Sequence, residues 1–466
     1  MIRPGLALAG IGVLLVALTG AGLLVHIPGA DSVGTMPRTW LFIGIMALAA
    51  AAYLASVAVV LRHALPRGAL GPVLGVALVL RAMVLPAYPF LSSDLFRYVW
   101  DGRVQNAGIN PYRYIPADPA LGTLQDAAIY QHVGRREYAP TIYPPVAQLV
   151  FRAVAAVSET PLAIKATMVG FEALAIGCLA ALLRSAGLPP ARVLIYAWNP
   201  LAVWAFAGNG HVDAVSIGLI ALALLARARG RYGLVGAILG AATLVKFLPI
   251  VLAPALWRRW KVRFVAALAV AIVLPYTLYA DVGWRVFGFL GAYGGEEGLS
   301  AGTGPWLLAG LGRLVTLPGY AGPVYLALAA LALAVIGIRI ALWTQWPADR
   351  ESDITQVCGA CCILAGFTVV AISPHYPWYF VWLAVPACVA PFRSVIWLSV
   401  APLLLYLDPW TEKFVWASLV YVPVFVLIWF DLKRGLPVSP SDAGSEATRR
   451  STPSAWIAAP PNRGPR

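Results

Sequence analysis

Residues 92–114, SSDLFRYVWDGRVQNAGINPYRY, bring two aspartates, three arginines and several aromatics into a chain otherwise rich in Ala, Leu, Val and Gly. On helical spacing Asp94, Arg97, Tyr98 and Asp101 fall at i, i+3, i+4 and i+7, one polar face, with Leu95, Phe96, Val99 and Trp100 opposite. A carboxylate so placed can take a proton from a hydroxyl, and a guanidinium can hold an anion. The spacing predicts an amphipathic helix lying on a membrane surface, apolar face down, stopped by GINPY at 108–112. A plainer reading competes: Asp94, after two serines, fits a helix cap, and Asp101 fits an ion pair with Arg97 or Arg103.

Other polar residues interrupt apolar segments further on. GNGHVDA supplies Asn209, His211 and Asp213; LVKF supplies Lys246; YPP supplies Tyr143; SPHYPWYFVW supplies His375, Tyr376, Trp378 and Tyr379. Singly, a loop histidine is a satisfied loop residue and an aromatic run is an interfacial belt. Together they fall on one side of one bundle, and ionisable groups at membrane depth mark functional pathways.

The set suits transfer of a sugar from a polyprenyl phosphate to a hydroxyl. That reaction needs a carboxylate base, cations for the departing phosphate, and aromatic rings to stack on sugar. Asp94 and Asp101 are the candidate carboxylates, and Arg97, Arg103, Lys246 and His375 are candidates for the donor phosphate. Tyr98, Asp101, Tyr143, Asn209, His211, Asp213, Tyr376, Trp378 and Tyr379 are expected around the sugar and acceptor. No metal or other cofactor is expected. CGACC (Cys358, Cys361, Cys362) has ligand-like spacing but no polar surroundings, so with Cys178 and Cys388 it reads as packing.

The elements that must position these residues are membrane helices. The chain has 466 residues, 60% hydrophobic and only 12% charged, with mean hydropathy +0.78; a soluble protein carries about 25% charged residues. The expected fold class is all-α, a polytopic membrane protein of about 13–14 spans. The first run, near 5–26, exceeds 20 residues without an A-x-A site and reads as a retained span. Lys246 and Pro249 split one apolar stretch at LVKFLP, a pattern of broken helices beside a cavity. Residues 146–157 and 304–317 read as interfacial or re-entrant pieces.

Lys and Arg in the short loops place both termini in the cytoplasm and the 88–145 loop outside. Net charge +14 then reflects this bias and a basic tail, with no nucleic-acid partner expected. Residues 1–435 form the expected membrane domain. The Pro-, Ser- and Arg-rich segment 436–466 is expected to be a disordered cytoplasmic tail. No P-loop, dinucleotide fingerprint or 20- to 50-residue repeat is present.

SSDLFRYVWDGRVQNAGINPY, YPPVAQLVF, WNPLAVWAFAGNGHVDA, ATLVKFLPIVLAPALWRR and SPHYPWYFVWLAVP run in order over about 300 residues. In this ordered set the chain resembles the polyprenyl-phosphate-sugar-dependent integral-membrane glycosyltransferases of the GT-C superfamily. It is similar to bacterial members related to the mycobacterial mannosyltransferases of phosphatidylinositol mannoside and lipomannan assembly. The resemblance implies inverting transfer of a hexose, mannose above all, to a lipid-linked or glycan acceptor at the extracytoplasmic face of a bacterial plasma membrane. It carries the catalytic aspartate onto Asp94 and lends weight to Lys246 and His375 at the phosphate. Many relatives have a paired acid, D-x-D or D-x-E, in this loop; here Leu95 and Phe96 follow Asp94, which weakens the case for a bound divalent ion. A transporter or lipid flippase is the rival class, since broken helices and a buried lysine also suit substrate passage.

Overall fold

Where an apolar run is uninterrupted it becomes one long helix, and where Pro, Gly or a charge interrupts it the helix breaks. The structure is a computed structural model that describes residues 4–25, 36–66, 68–258, 261–343, 350–410 and 413–433. It is 75% helix, with no strand among the described residues, as the all-α expectation requires. The tail expected at 436–466 lies outside the described residues.

The principal helices are α1 (Pro4–Val25), α2 (Met36–Arg62), α3 (Leu70–Val84), α4 (Asp94–Asn106), α5 (Pro145–Val157) and α6 (Pro161–Ser185). They continue with α7 (Asp213–Ala228), α8 (Tyr232–Thr243), α9 (Val262–Thr277), α10 (Ala321–Trp343), α11 (Arg350–Ile372) and α12 (Lys413–Lys433). Six of these, α1, α2, α6, α10, α11 and α12, are long and apolar enough to cross a bilayer. A seventh arises if α9 and Ala280–Glu296, bent by 113°, count as one span.

The protein is thus a multi-pass membrane protein, with fewer full-length helices than apolar runs. The run at 191–208 shows why. It folds as a short 3-10 turn (Pro190–Val193), two single turns and a π-helix (Val203–Gly208), broken by Pro190 and Pro200. The interruption at Lys246 is present too: α8 ends at Thr243 and a 3-10 helix starts at Leu248.

Close backbone contacts and buried polar pins hold the bundle together. On α8 a Cβ at Gly236 would overlap the Phe264 carbonyl, and one at Gly240 would lie 2.6 Å from Ala271 Cβ, so this G-x-x-x-G face seats α8 against α9. Arg81 on α3 pairs with Glu172 on α6 at 2.6 Å, and Glu172 also accepts from Tyr196 Oη at 3.2 Å. Lys165 Nζ donates to the Val84 and Ala87 carbonyls at 3.3 and 2.5 Å, closing the end of α3 as the chain turns toward α4.

Helix α4 begins and ends close to where its spacing places it, but it does not lie with a polar face open to water. Leu95, Phe96, Tyr98 and Trp100 are buried, and so are Arg97 and Asp101, at 8% and 2% exposed. The 107–144 segment and α5 cover the side expected to be exposed. Gly102 lets α5 approach, since a Cβ there would strike the Phe151 carbonyl.

Candidate active site

A cavity of about 290 Å³ opens where α4, the loop before α5, the break after α8, the segment after α9 and the SPHYP turn converge. Asp94 and Arg97 reach it from α4, and Arg135 and Tyr143 from the long loop. Lys246 comes from the broken helix; Tyr376, Trp378 and Tyr379 form one wall.

Asp94 is the first residue of α4, and the cap position belongs to Ser93. The Asp94 amide donates to Ser92 Oγ at 3.2 Å, while among the described residues nothing hydrogen-bonds its carboxylate. That side chain stays 32% exposed, and His211 Nδ1 lies 3.7 Å from it. Burial raises the Asp94 carboxyl above the usual carboxylate range, against the pull of Lys246 and Arg135. A carboxylate with spare lone pairs, facing a cavity and made more basic by its surroundings, suits proton abstraction.

Asp101, seven residues and two turns further on, has the opposite environment. It accepts from Arg97 Nε at 2.8 Å, Thr141 Oγ1 at 2.5 Å and Gln148 Nε2 at 2.9 Å. Arg97 also donates to the Ala139 carbonyl at 3.1 Å. This network ties α4 to the loop and to α5, so Asp101 has little capacity left for a sugar and does not line the cavity.

Lys246 Nζ donates to both oxygens of Asp213 at 2.8 Å and sits 3.6 Å from the centre of the Tyr379 ring. One ammonium proton remains for a ligand. Tyr376 and Trp378 stack at 4.8 Å and 20°, and His211 stacks on Trp378 at 3.7 Å and 20°. The imidazole is fully buried, and among the described residues neither ring nitrogen has a hydrogen-bond partner. His211 therefore stands behind Trp378, between that ring and Asp94. The π-helix and Gly210, at φ +68°, bring it there.

Several residues singled out by sequence stand away from the cavity. Arg103 pairs with Asp126 at 2.9 Å and Glu159 at 2.8 Å. Tyr98 is buried, stacked on Phe151 at 4.5 Å. Asn209 accepts from the Leu91 amide at 3.0 Å and donates to the Trp204 carbonyl at 2.8 Å, which fixes the approach to α4. His375 meets Glu297 at 3.1 Å on the far side of that carboxylate. Burial raises the Glu297 carboxyl, and His375 and Tyr293 outweigh this, leaving it below its ordinary value.

Arg135, Tyr293 and Glu297 line the cavity without having been expected there. Arg135 occupies the left-handed region at φ +56°, unusual for a residue with a Cβ. Its guanidinium donates to Glu296 at 2.8 Å and to Tyr376 Oη at 3.2 Å. Tyr293 Oη contacts Tyr379 Oη at 3.2 Å. The clue in sequence is the pair of charge clusters GRREY at 134–138 and GGEEG at 294–298. Among the described residues no three His, Cys, Asp or Glu side chains converge as a metal's donors would.

Fold and cavity together define an all-helical membrane protein with two carboxylates (Asp94, Glu297), three cations (Arg97, Arg135, Lys246) and an aromatic wall around one cavity. The chain belongs to the family described as alpha-(1->6)-mannopyranosyltransferase, whose N-terminal-domain model matches residues 6–262. It is accordingly a mannosyltransferase, a glycosyltransferase that takes a sugar donor and an acceptor. Asp94, Arg135, Tyr143 and Lys246 fall inside the matched region; the aromatic wall falls beyond it. Neither the curated proteins nor the solved structures yield a match.

Proposed function

We propose that the protein moves a mannosyl residue from a polyprenyl-phosphate donor to an acceptor hydroxyl, forming an α-(1→6) linkage with inversion, with Asp94 as general base. Asp94 takes the proton of the acceptor hydroxyl. The freed oxygen attacks C1 of the mannose from the side opposite the phosphate. The C1–O bond breaks, its electron pair stays on the phosphate oxygen, and the polyprenyl phosphate departs. Arg135 and the third proton of Lys246 meet its charge, and Tyr376 and Trp378 stack against the sugar.

The observation that carries this reading is the contrast between two carboxylates on one helix. Asp101 is saturated by Arg97, Thr141 and Gln148, whereas among the described residues the Asp94 carboxylate accepts no hydrogen bond, and it faces the cavity shared with Lys246 and Arg135. A base in this position is worth typically 10²–10⁴-fold in rate. The acceptor is a lipid-linked or glycan mannoside, and the cavity opens on the extracytoplasmic face of a bacterial plasma membrane. The apolar walls of the cavity and the broken helix beside it suit a donor whose tail remains in the bilayer.

The test is to incubate purified protein with radiolabelled polyprenyl-phosphate-mannose or nucleotide-linked mannose and a membrane lipid extract. Label on a new glycolipid from the polyprenyl donor alone supports the reading. Use of the nucleotide sugar instead, or uptake into vesicles without a new product, contradicts it.

A further inference from the structure

A second cleft, of about 580 Å³, lies between the first turns of α8 and α9. Helices α7 and α8 define its distance from the catalytic chamber. Each has its cavity end at Asp213 or just before Lys246 and its other end at Arg227 or Tyr232. From Asp213 to Arg227 the helix rises about 21 Å.

Three exposed cations, Arg231, Lys261 and Arg263, rim the cleft. Tyr232 organises the neighbouring charges. Its hydroxyl accepts from Arg258 Nη1 at 3.2 Å, and its ring centre lies 5.2 Å from the Arg227 guanidinium and 5.4 Å from Lys261 Nζ. The acid at this cluster, Asp353, is already bonded to Arg227 at 2.9 and 3.3 Å. Among the described residues Arg231, Lys261 and Arg263 pair with no carboxylate. Below the cations the cleft is apolar: Leu234 and Val262 line it and are 45% and 73% exposed, and Val265 continues the strip at 52%. Charge bias alone scatters cations over short loops. Here they converge on one concavity that continues into an apolar groove.

We propose that this cleft binds the phosphate headgroup of an anionic phospholipid, in the leaflet opposite the Asp94 cavity, with an acyl chain laid along Leu234, Val262 and Val265. Both halves of the ligand are read from the site. The rim recognises a phosphodiester anion, and the strip beneath requires a hydrocarbon attached to it. Basic pockets between transmembrane helices bind lipid headgroups in this way.

The experiment is native mass spectrometry of the full chain in mixed micelles carrying phosphatidylglycerol or phosphatidylcholine, with transfer activity measured in parallel. The wild type should retain phosphatidylglycerol at least about tenfold over phosphatidylcholine. The triple variant Arg231→Gln, Lys261→Gln, Arg263→Gln should lose that preference while its transfer rate in phosphatidylcholine is unchanged. Equal retention of the two lipids by the wild type, or an undiminished preference in the triple variant, overturns the proposal. So does displacement of phosphatidylglycerol by millimolar inorganic phosphate, which would mark an ion site. If the triple variant fails to fold, Arg263→Gln alone and a salt series on the wild type decide. A preference that survives both the single variant and roughly 1 M salt, where screening is nearly complete, overturns it as well.

Discussion

Lys246 donates to both carboxylate oxygens of Asp213 at 2.8 Å, joining the first residue of α7 to the break that follows α8. The pair is largely buried, with side chains 16% and 10% exposed. Removing one partner leaves the other charge unmatched, which costs about 3–5 kcal/mol. Lys246→Ala should therefore lower both thermal stability and donor use, read as melting temperature and donor KM.

Arg135→Gln should separate the two effects. The Arg135–Glu296 pair is partly exposed, at 35% and 30%, and such pairs are worth about 0–1 kcal/mol to stability. A charge-assisted bond to the donor phosphate is worth about 1.5–3 kcal/mol. Donor affinity should fall roughly 10- to 150-fold, with melting little changed. A large drop in melting with unchanged donor binding would make Arg135 a structural tie.

The pH dependence follows from the same neighbours. Asp94 works as a base only when ionised, and burial holds its carboxyl above the usual range. As pH falls through that raised value the base is protonated and transfer stops. The acid limb of the rate should therefore lie above about pH 4, the ordinary carboxylate value. Arg135 pulls the carboxyl downward, so Arg135→Gln should move the acid limb to still higher pH. A limb that stays put in this variant separates Asp94 from Arg135 electrostatically.

Gly236 tests the packing that sets the break. A Cβ there would overlap the Phe264 backbone carbonyl, which no side-chain rotation relieves. Gly236→Ala should destabilise by about 1–3 kcal/mol, seen in melting, while Gly233→Ala, whose Cβ meets nothing nearer than 3.8 Å, should be tolerated.

How much could be read from the residues alone depended on how local the signal was. The start of α4 at Asp94, the break at Lys246 and the aromatic SPHYPWY turn are written in consecutive residues, and all three border the cavity. Asp101 and Arg103 look equally chemical in sequence. The i, i+4 spacing does show the Arg97–Asp101 pair, but the other partners lie far off, at Thr141, Gln148, Asp126 and Glu159, so no periodicity reveals how fully these side chains are satisfied. Arg135 was illegible for another reason. It sits among exposed charges and turns inward through a left-handed backbone that spacing does not encode. The apolar runs overstated the number of full-length helices: Pro200 and Pro249 fold two of them into shorter turns, and others, such as Leu70–Val84 and Tyr232–Thr243, end as helices too short to span.

Asp101→Asn keeps the shape of its network and removes the charge that Arg97 bonds. It should lower melting markedly, since a buried guanidinium loses its counter-ion at a cost of about 3–5 kcal/mol. Protein that remains folded should still transfer sugar. Loss of turnover without loss of stability would bring Asp101 into the chemistry.

Asp94→Asn tests whether this carboxylate is the base. The side chain keeps its size, the Asp94 amide keeps its bond to Ser92 Oγ, and among the described residues no hydrogen bond to the carboxylate is lost. Single-turnover transfer from polyprenyl-phosphate-mannose, with melting and donor affinity measured on the same preparation, should show a rate loss of at least about 10²-fold with the other two preserved. A variant that transfers mannose at the wild-type rate would remove Asp94 from the reaction and contradict the account.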